Sequence, residues 1–214
     1  MKVGVLGTGV AGRALGTGFA VRGHEVMMGS RSASNQRAAE WAEAGDNMST
    51  GTFADAAAFA ELAVLATAWP GTENALSLAG AGNLAGKVLI DATNPLAVSE
   101  GNPLPGLALG HTDSGGEQVQ RWVPDARVVK AFNIVGHGDM VDPQFPGGPP
   151  DMFFCGNDDT AKATVKSILA DFGWEPVDIG GIEGARLLEP LCILWVVYGA
   201  RTGTWDHAFK LLRR

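Results

Sequence analysis

No stretch of this chain stays apolar for the roughly 20 residues that a membrane helix needs. Nothing near its start has the unbroken apolar core of a secretion signal either. Glycines at positions 7, 9, 12, 16 and 18 and arginines at 13 and 22 interrupt the one segment that might qualify. Cationic charge is also scarce, since 16 Lys and Arg stand against 23 Asp and Glu for a net charge of −7. Nucleic-acid binders carry a basic footprint, and an acidic chain has no bulk attraction to anionic lipid, so neither partner is expected. The only cysteines, Cys155 and Cys192, lie in apolar surroundings without metal-ligand spacing. They read as buried thiols in a reducing cytoplasm. The four histidines, His24, His111, His137 and His207, are scattered, and no paired carboxylates accompany them. No catalytic triad and no metal centre are expected.

What remains is a chain of 214 residues, 46% hydrophobic and 18% charged. That is enough for one large domain, or a domain with a small appendage. Short apolar strands at 2–6, 24–28, 62–66, 87–91 and 126–132 alternate with helices at 11–22, 34–44, 53–59, 71–79 and 114–122. Such alternation implies a parallel sheet covered on both faces. Ser114 and Glu117 have the spacing of a capping box opening the last of these helices. Residues 136–150 hold four Gly and four Pro and read as a loop. It is expected to divide a nucleotide-binding unit, 1–135, from a substrate or dimerisation region, 136–214. In that second part the pattern predicts strands at 151–155 and 176–179 and helices at 159–172, 184–198 and 204–212, with Pro190 kinking or restarting the apolar helix. The expected fold is α/β: a Rossmann-type doubly wound parallel sheet with a small C-terminal α/β extension.

Gly7-Thr8-Gly9-Val10-Ala11-Gly12 follows the first strand and opens the first helix. In that context GxGxxG is a dinucleotide fingerprint. Gly7 allows the tight turn, Gly9 the approach of a pyrophosphate, and Gly12 close helix–strand packing. The helix N-terminus offers N–H donors and partial positive charge, and Thr8 can add a hydroxyl. Gly16 and Gly18, further along that helix, suggest close packing on the sheet or the cofactor. About 20 residues after the motif an NAD site usually has an acidic residue for the ribose 2′-hydroxyl. Here Gly29, Ser30 and Arg31 stand instead. A small residue, a hydroxyl and a guanidinium suit a 2′-phosphate, so the predicted cofactor is NADP.

Ligands of open α/β sheets sit beyond the carboxyl ends of the strands. Two more strand ends face that crevice: Ala66-Thr67-Ala68-Trp69 and Asp91-Ala-Thr-Asn94-Pro95. Thr67 and Ala68 are small enough to let a ribose and nicotinamide approach, and Trp69 can stack on a planar substrate. Asn94 can hydrogen-bond a carboxamide, or can simply form an Asn–Pro turn. Lys130 can protonate an alkoxide or imine nitrogen, or can meet a neighbouring carboxylate. Strand alternation would put Lys130 and Phe132 on one face, and Ala131 and Asn133 on the other.

The chain resembles the NADPH-dependent deazaflavin reductases, the NADP oxidoreductases that use coenzyme F420. The resemblance rests on Leu6-Gly-Thr-Gly-Val-Ala-Gly12, Gly29-Ser-Arg31, Val129-Val-Lys-Ala-Phe-Asn133, Cys155-Gly-Asn-Asp158, Gly180-Gly-Ile and Ala185-Arg-Leu-Leu-Glu-Pro-Leu191. A similar nucleotide-binding unit occurs in transmembrane metalloreductases and pyrroline-carboxylate reductases. The resemblance implies that Thr8, Gly9, Val10, Ala11, Ser30 and Arg31 hold NADP, and that Asn133 to Val135 line the acceptor side. Those reductases tend to carry a histidine where this chain has Asn133. The expected function is hydride transfer between NADP(H) and a flavin-like cofactor, F420 first and FMN or FAD next. Such chemistry belongs to the two cofactors and needs little acid–base help. The rival expectations are an imine or carbonyl reductase, a ferric or flavin reductase, and a non-catalytic NADP(H) sensor. The very apolar helix 184–198 is expected to cover the substrate cleft or to pair two copies as a homodimer.

Overall fold

The computed structural model describes residues 1–97 and 104–214. In chain order the strands and helices are β1 (Lys2–Leu6), α1 (Val10–Val21), β2 (Glu25–Ser30), α2 (Gln36–Ala42), β3 (Met48–Thr52), α3 (Phe53–Phe59), β4 (Leu62–Leu65), α4 (Thr72–Ala79), α5 (Ala81–Leu84), β5 (Val88–Asp91), β6 (Leu96–Ala97), β7 (Gly106–Leu107), α6 (Gly115–Trp122), β8 (Arg127–Lys130), β9 (Asp151–Gly156), α7 (Asp159–Asp171), β10 (Glu175–Asp178) and α8 (Ala185–Thr202). Eight strands form one sheet in the order β3-β2-β1-β4-β5-β8-β9-β10. From β3 to β8 every neighbouring pair is parallel. β9 runs antiparallel to β8, and β10 follows β9 in parallel. β6 and β7 form a separate two-stranded pair.

Helices cover both faces, as the run of apolar strands requires. In β4, Leu62 and Val64 join a core with Leu15 and Phe19 of α1, Trp41 of α2 and Val165 of α7. Ala63 and Leu65 point the other way, to Ala56 of α3, Leu76 of α4, Val119 of α6 and Leu188 of α8. This is the doubly wound α/β architecture expected, with a C-terminal region that contains a long helix.

Several local expectations change. Strand β3, sequence Met-Ser-Thr-Gly-Thr, has no apolar alternation to announce it; it pairs at the sheet edge through its backbone. α2 begins after Asn35, whose side chain accepts from Ala38 N, and not at Ser34. Residues 204–212 are not helical. They run back along the molecule, where buried Asp151 accepts from Leu211 N, and Lys210 Nζ reaches Asp151 Oδ1 at 3.3 Å and Glu175 Oε2 at 2.7 Å. Those anchors outweigh a weak helical pattern. α8 passes through Pro190 as one continuous element. Gly16 and Gly18 make room for side chains beyond the sheet. A Cβ on Gly16 would lie 2.9 Å from the Trp41 ring, and one on Gly18 2.5 Å from Val141.

Candidate functional site

β1 ends at Leu6, and the chain turns at Gly7 with φ +134°, a conformation that costs a side-chain-bearing residue far more than glycine. A Cβ there would also collide with the Ala66 carbonyl oxygen at 2.4 Å. Gly12 packs the first turn of α1 onto this bend, since its Cβ would fall 2.3 Å from the Gly7 carbonyl oxygen. Gly9 differs from both: no atom of the described residues lies within 4 Å of where its Cβ would be. That is an open cradle in front of the N-terminus of α1. No side chain caps this helix, and its first turn holds no acidic residue. Its leading N–H groups at Val10 and Ala11 can therefore serve an anion.

β2 runs two residues further than expected, to Ser30. Gly29 is small because α3 packs there: its Cβ would lie 2.8 Å from the Ala56 methyl. The Ser30 hydroxyl is buried and donates to the Ser32 carbonyl at 2.5 Å, so it shapes the turn that follows. Arg31 is exposed, and among the described residues no carboxylate pairs with it. Gly7, Thr8, Gly9, Arg31, Ala66, Thr67 and Ala68 line one cleft of about 380 Å³. Phe53, Gly71 and Asn74 complete its wall, and none of the three carries a sequence signal for a ligand. Inside the wall, Thr67 Oγ1 is 2.9 Å from Thr72 Oγ1. Trp69 is half-buried, with its ring 5.5 Å from that of Trp122.

At the ends of β5 and β8, Asn94 and Asn133 bond to each other twice. Asn94 Nδ2 donates to the Asn133 carbonyl at 2.8 Å, and Asn133 Nδ2 donates to Asn94 Oδ1 at 2.9 Å. Asn133 Nδ2 also donates to the Leu188 carbonyl of α8 at 3.0 Å. Both amide hydrogens are thus used, while among the described residues none donates to buried Asn133 Oδ1. An unpaired buried acceptor costs about 1–3 kcal/mol and fits a ligand N–H. Val135 is 8% exposed and belongs to the core. Pro95 takes the Ala108 N–H on its carbonyl at 2.7 Å. That bond brings loop 107–111 beside α8, where Leu107, Leu109, His111, Arg186, Leu187 and Pro190 line a second cleft of about 720 Å³.

Lys130 meets carboxylates. Its Nζ donates to Asp91 Oδ2 at 2.8 Å and to the Thr93 carbonyl at 2.9 Å, and lies 3.1 Å from Glu189 Oε1. Burial alone would lower the pKa of this ammonium, but Asp91 and Glu189 beside it hold it above its ordinary value. Glu189 also accepts from Gly115 N and Gly116 N at 3.0 Å each, capping α6. The Ser114 hydroxyl accepts from Glu117 N as expected, but the Glu117 carboxylate bonds that hydroxyl instead of closing the box on the backbone. The partners Asp91 and Glu189 had a faint signal: a lone carboxylate at a strand end, and another in an otherwise apolar helix. Phe132 does not share a face with Lys130. β8 stops at Lys130, and Phe132 takes φ +64°, which turns its ring into the opposite core against Phe172.

His207 and the two cysteines are packing groups. The His207 ring stacks on Trp195 at 4.7 Å, and Trp195 also abuts Gly136. Both thiols are unpaired and buried; burial pushes Cys155 up to about 12 and Cys192 up to about 11. Among the described residues no helix is long and apolar enough to cross a membrane, and no cluster of potential metal ligands occurs.

Comparison with known proteins adds to this geometry. Residues 2–95 match the family described as NADP oxidoreductase coenzyme F420-dependent. The F420-dependent NADP reductase of Methanothermobacter marburgensis is 34% identical over 212 residues, covering 92% of this chain and 91% of that protein. The crystal structure of an Arthrobacter sp. FB24 protein described as an F420-dependent NADP-reductase superposes with a TM-score of 0.93 at 41% identity, over 100% of both chains. The rat metalloreductase STEAP3 is 29% identical over 89% of this chain, which spans 36% of that protein's length.

Proposed function

Because the chain belongs to the family of F420-dependent NADP oxidoreductases, we propose that it moves hydride between NADP(H) and the deazaflavin coenzyme F420. The observation that carries this reading is the cleft in which the open cradle at Gly9, the uncapped N-terminus of α1 and Arg31, unpaired among the described residues, line one wall. On this reading the backbone from Thr8 to Ala11 takes the pyrophosphate, Arg31 takes the 2′-phosphate, and Ser30 holds the turn that presents Arg31. Thr67, Ala68, Asn94 and Pro95 border the nicotinamide ribose and ring. Asn133 Oδ1 suits the carboxamide N–H. The acceptor lies on the side of Trp69, Asn133 and Val135, where the cleft along α8 offers the apolar surface of Leu107, Leu187 and Pro190 to a flat ring. The two cofactors supply the redox chemistry, and the protein's part is to hold two planar partners in contact.

Lys130 is poorly suited to give a proton, because its ammonium is buried and held by two carboxylates and a carbonyl. That disfavours a carbonyl or imine reductase relying on it. Stopped-flow oxidation of NADPH against F420, FMN, FAD and a ferric chelate tests the acceptor. F420 is expected to turn over fastest. Turnover with free flavin or iron alone would make the chain a flavin or ferric reductase, and turnover with none would defeat the hydride-transfer reading.

We also infer a homodimer in the cytoplasm. Leu187, Leu194 and Tyr198 are exposed and recur at helical spacing on one face of α8. A second copy would remove that face from water, and the two reduced thiols suit a reducing compartment. Leu194→Asp is expected to halve the mass in sedimentation. A wild-type chain that sediments as a monomer would eliminate the dimer.

A further inference from the structure

The three charges buried beneath the crevice are wired to the Asn94–Asn133 pair on every side. Asp91 and Lys130 are register partners in adjacent parallel strands. Asn94 and Asn133 each lie three residues beyond the ends of those two strands. Glu189, the third charge, directly follows Leu188 in α8, and the Leu188 carbonyl receives Asn133 Nδ2. Asp91 Oδ1 also takes the Thr93 N–H at 2.9 Å and the Thr93 hydroxyl at 2.7 Å, which fixes the residue before Asn94. Each element that touches the asparagine pair is therefore held by one member of the ion cluster. The cluster has a second anchor where Glu189 grips the first two N–H groups of α6. The glycines there leave no spare room: a Cβ on Gly115 would lie 3.0 Å from Glu189 Oε1, and one on Gly116 2.8 Å from the Ala185 methyl.

We propose that Lys130 and Glu189 are positioning residues whose buried ion cluster sets the Asn94–Asn133 pair for the nicotinamide half of NADP. This rests on the cofactor placement given above. Neither residue touches the cofactor. They act through the Leu188 carbonyl and the Thr93–Asn94 turn, and so determine where Asn133 Oδ1 is presented. The adenosine half, held at Gly9 and Arg31, is independent of them.

The test is calorimetric binding of NADP⁺ and of 2′-phospho-ADP-ribose, which lacks the nicotinamide. Glu189→Gln preserves volume and is expected to weaken NADP⁺ about tenfold, within the range of coupling between contacting residues, while 2′-phospho-ADP-ribose changes less than twofold. In an Asn133→Ala background the same substitution is expected to cost nothing further, because the pair it positions is gone. If Glu189→Gln does not fold, the charge-free combination Asp91→Asn, Lys130→Met, Glu189→Gln carries the measurement. Equal losses for both ligands, no loss for either, or full additivity with Asn133→Ala would overturn the proposal. A wild-type protein that binds neither ligand would instead overturn the cofactor reading itself.

Discussion

Replacing Arg31 with alanine is expected to weaken NADPH binding by about 30- to 100-fold and NADH binding by less than about threefold. The size follows from the chemistry of the lost contact. A guanidinium on a phosphate makes charge-assisted, often bidentate hydrogen bonds, and each such interaction contributes about 1.5–3 kcal/mol. Arg31 is free to make it, since it is exposed and holds no carboxylate among the described residues. Its neighbour Ser30 is not free in that way, because its hydroxyl already donates to Ser32. On the proposed placement, discrimination between the two cofactors falls almost wholly on one side chain. Screening by salt acts on an exposed charge, so the preference for NADPH should narrow as ionic strength rises. Titrations with both reduced cofactors at two salt concentrations read this directly. An equal loss for NADPH and NADH would remove the 2′-phosphate from this strand end.

Lys130→Met should be the most damaging single change to stability, at about 3–5 kcal/mol, the usual cost of stripping one partner from a buried ion pair. The methionine fills the space of the lysine stem but leaves Asp91 and Glu189 facing each other without a cation, both almost fully buried. At about 2–4 °C per kcal/mol for a chain of this size, the melting temperature should fall by about 6–20 °C. Neutralising the two acids at the same time, with Asp91→Asn and Glu189→Gln, should recover most of that loss, because the desolvation penalty disappears along with the attraction. Calorimetric melting of the single and triple variants measures both steps. A single variant as stable as the wild type would mean that the cluster is held by its surroundings and not by its charges.

The legible parts of the fold were those written in apolar periodicity. β1, β4 and β5 are short runs of Val, Leu and Ile buried on both faces, and they appear where the pattern puts them. β3 is polar and held by backbone pairing at an edge, so nothing in its side chains marks it. The expected final helix, 204–212, fails for a tertiary reason, since the Asp151 carboxylate draws the segment into an extended path. At the site, Gly7 makes the tight turn and Gly12 the close packing assigned to them, and Gly9 leaves an open space. Gly29 is different: it stands before Arg31 to admit Ala56, a packing need that only the third dimension reveals. The interior ion cluster was half visible, with Lys130 conspicuous and its two acids 39 and 59 residues away in sequence. The reversal of Phe132 was invisible, because strand alternation assumes extended backbone and this residue leaves it.

The direction of one strand limits how two cofactors could be arranged on the proposed reading. Six parallel strands, β3 to β8, turn their carboxyl ends to the crevice, a row about 24 Å wide at about 4.8 Å per strand. β9 runs the other way, and its first residue, Asp151, closes that row with the Lys210 bridge to Glu175. With the 2′-phosphate at β2, the pyrophosphate at β1 and the nicotinamide at β4 and β5, only β8 is left over. One strand spacing is narrower than a three-ring system is long. On the proposed placement a deazaflavin would not extend along the row past the nicotinamide but would come to it from the cleft along α8. The two rings would then overlap face to face, which is the alignment that a hydride needs to pass directly from one to the other.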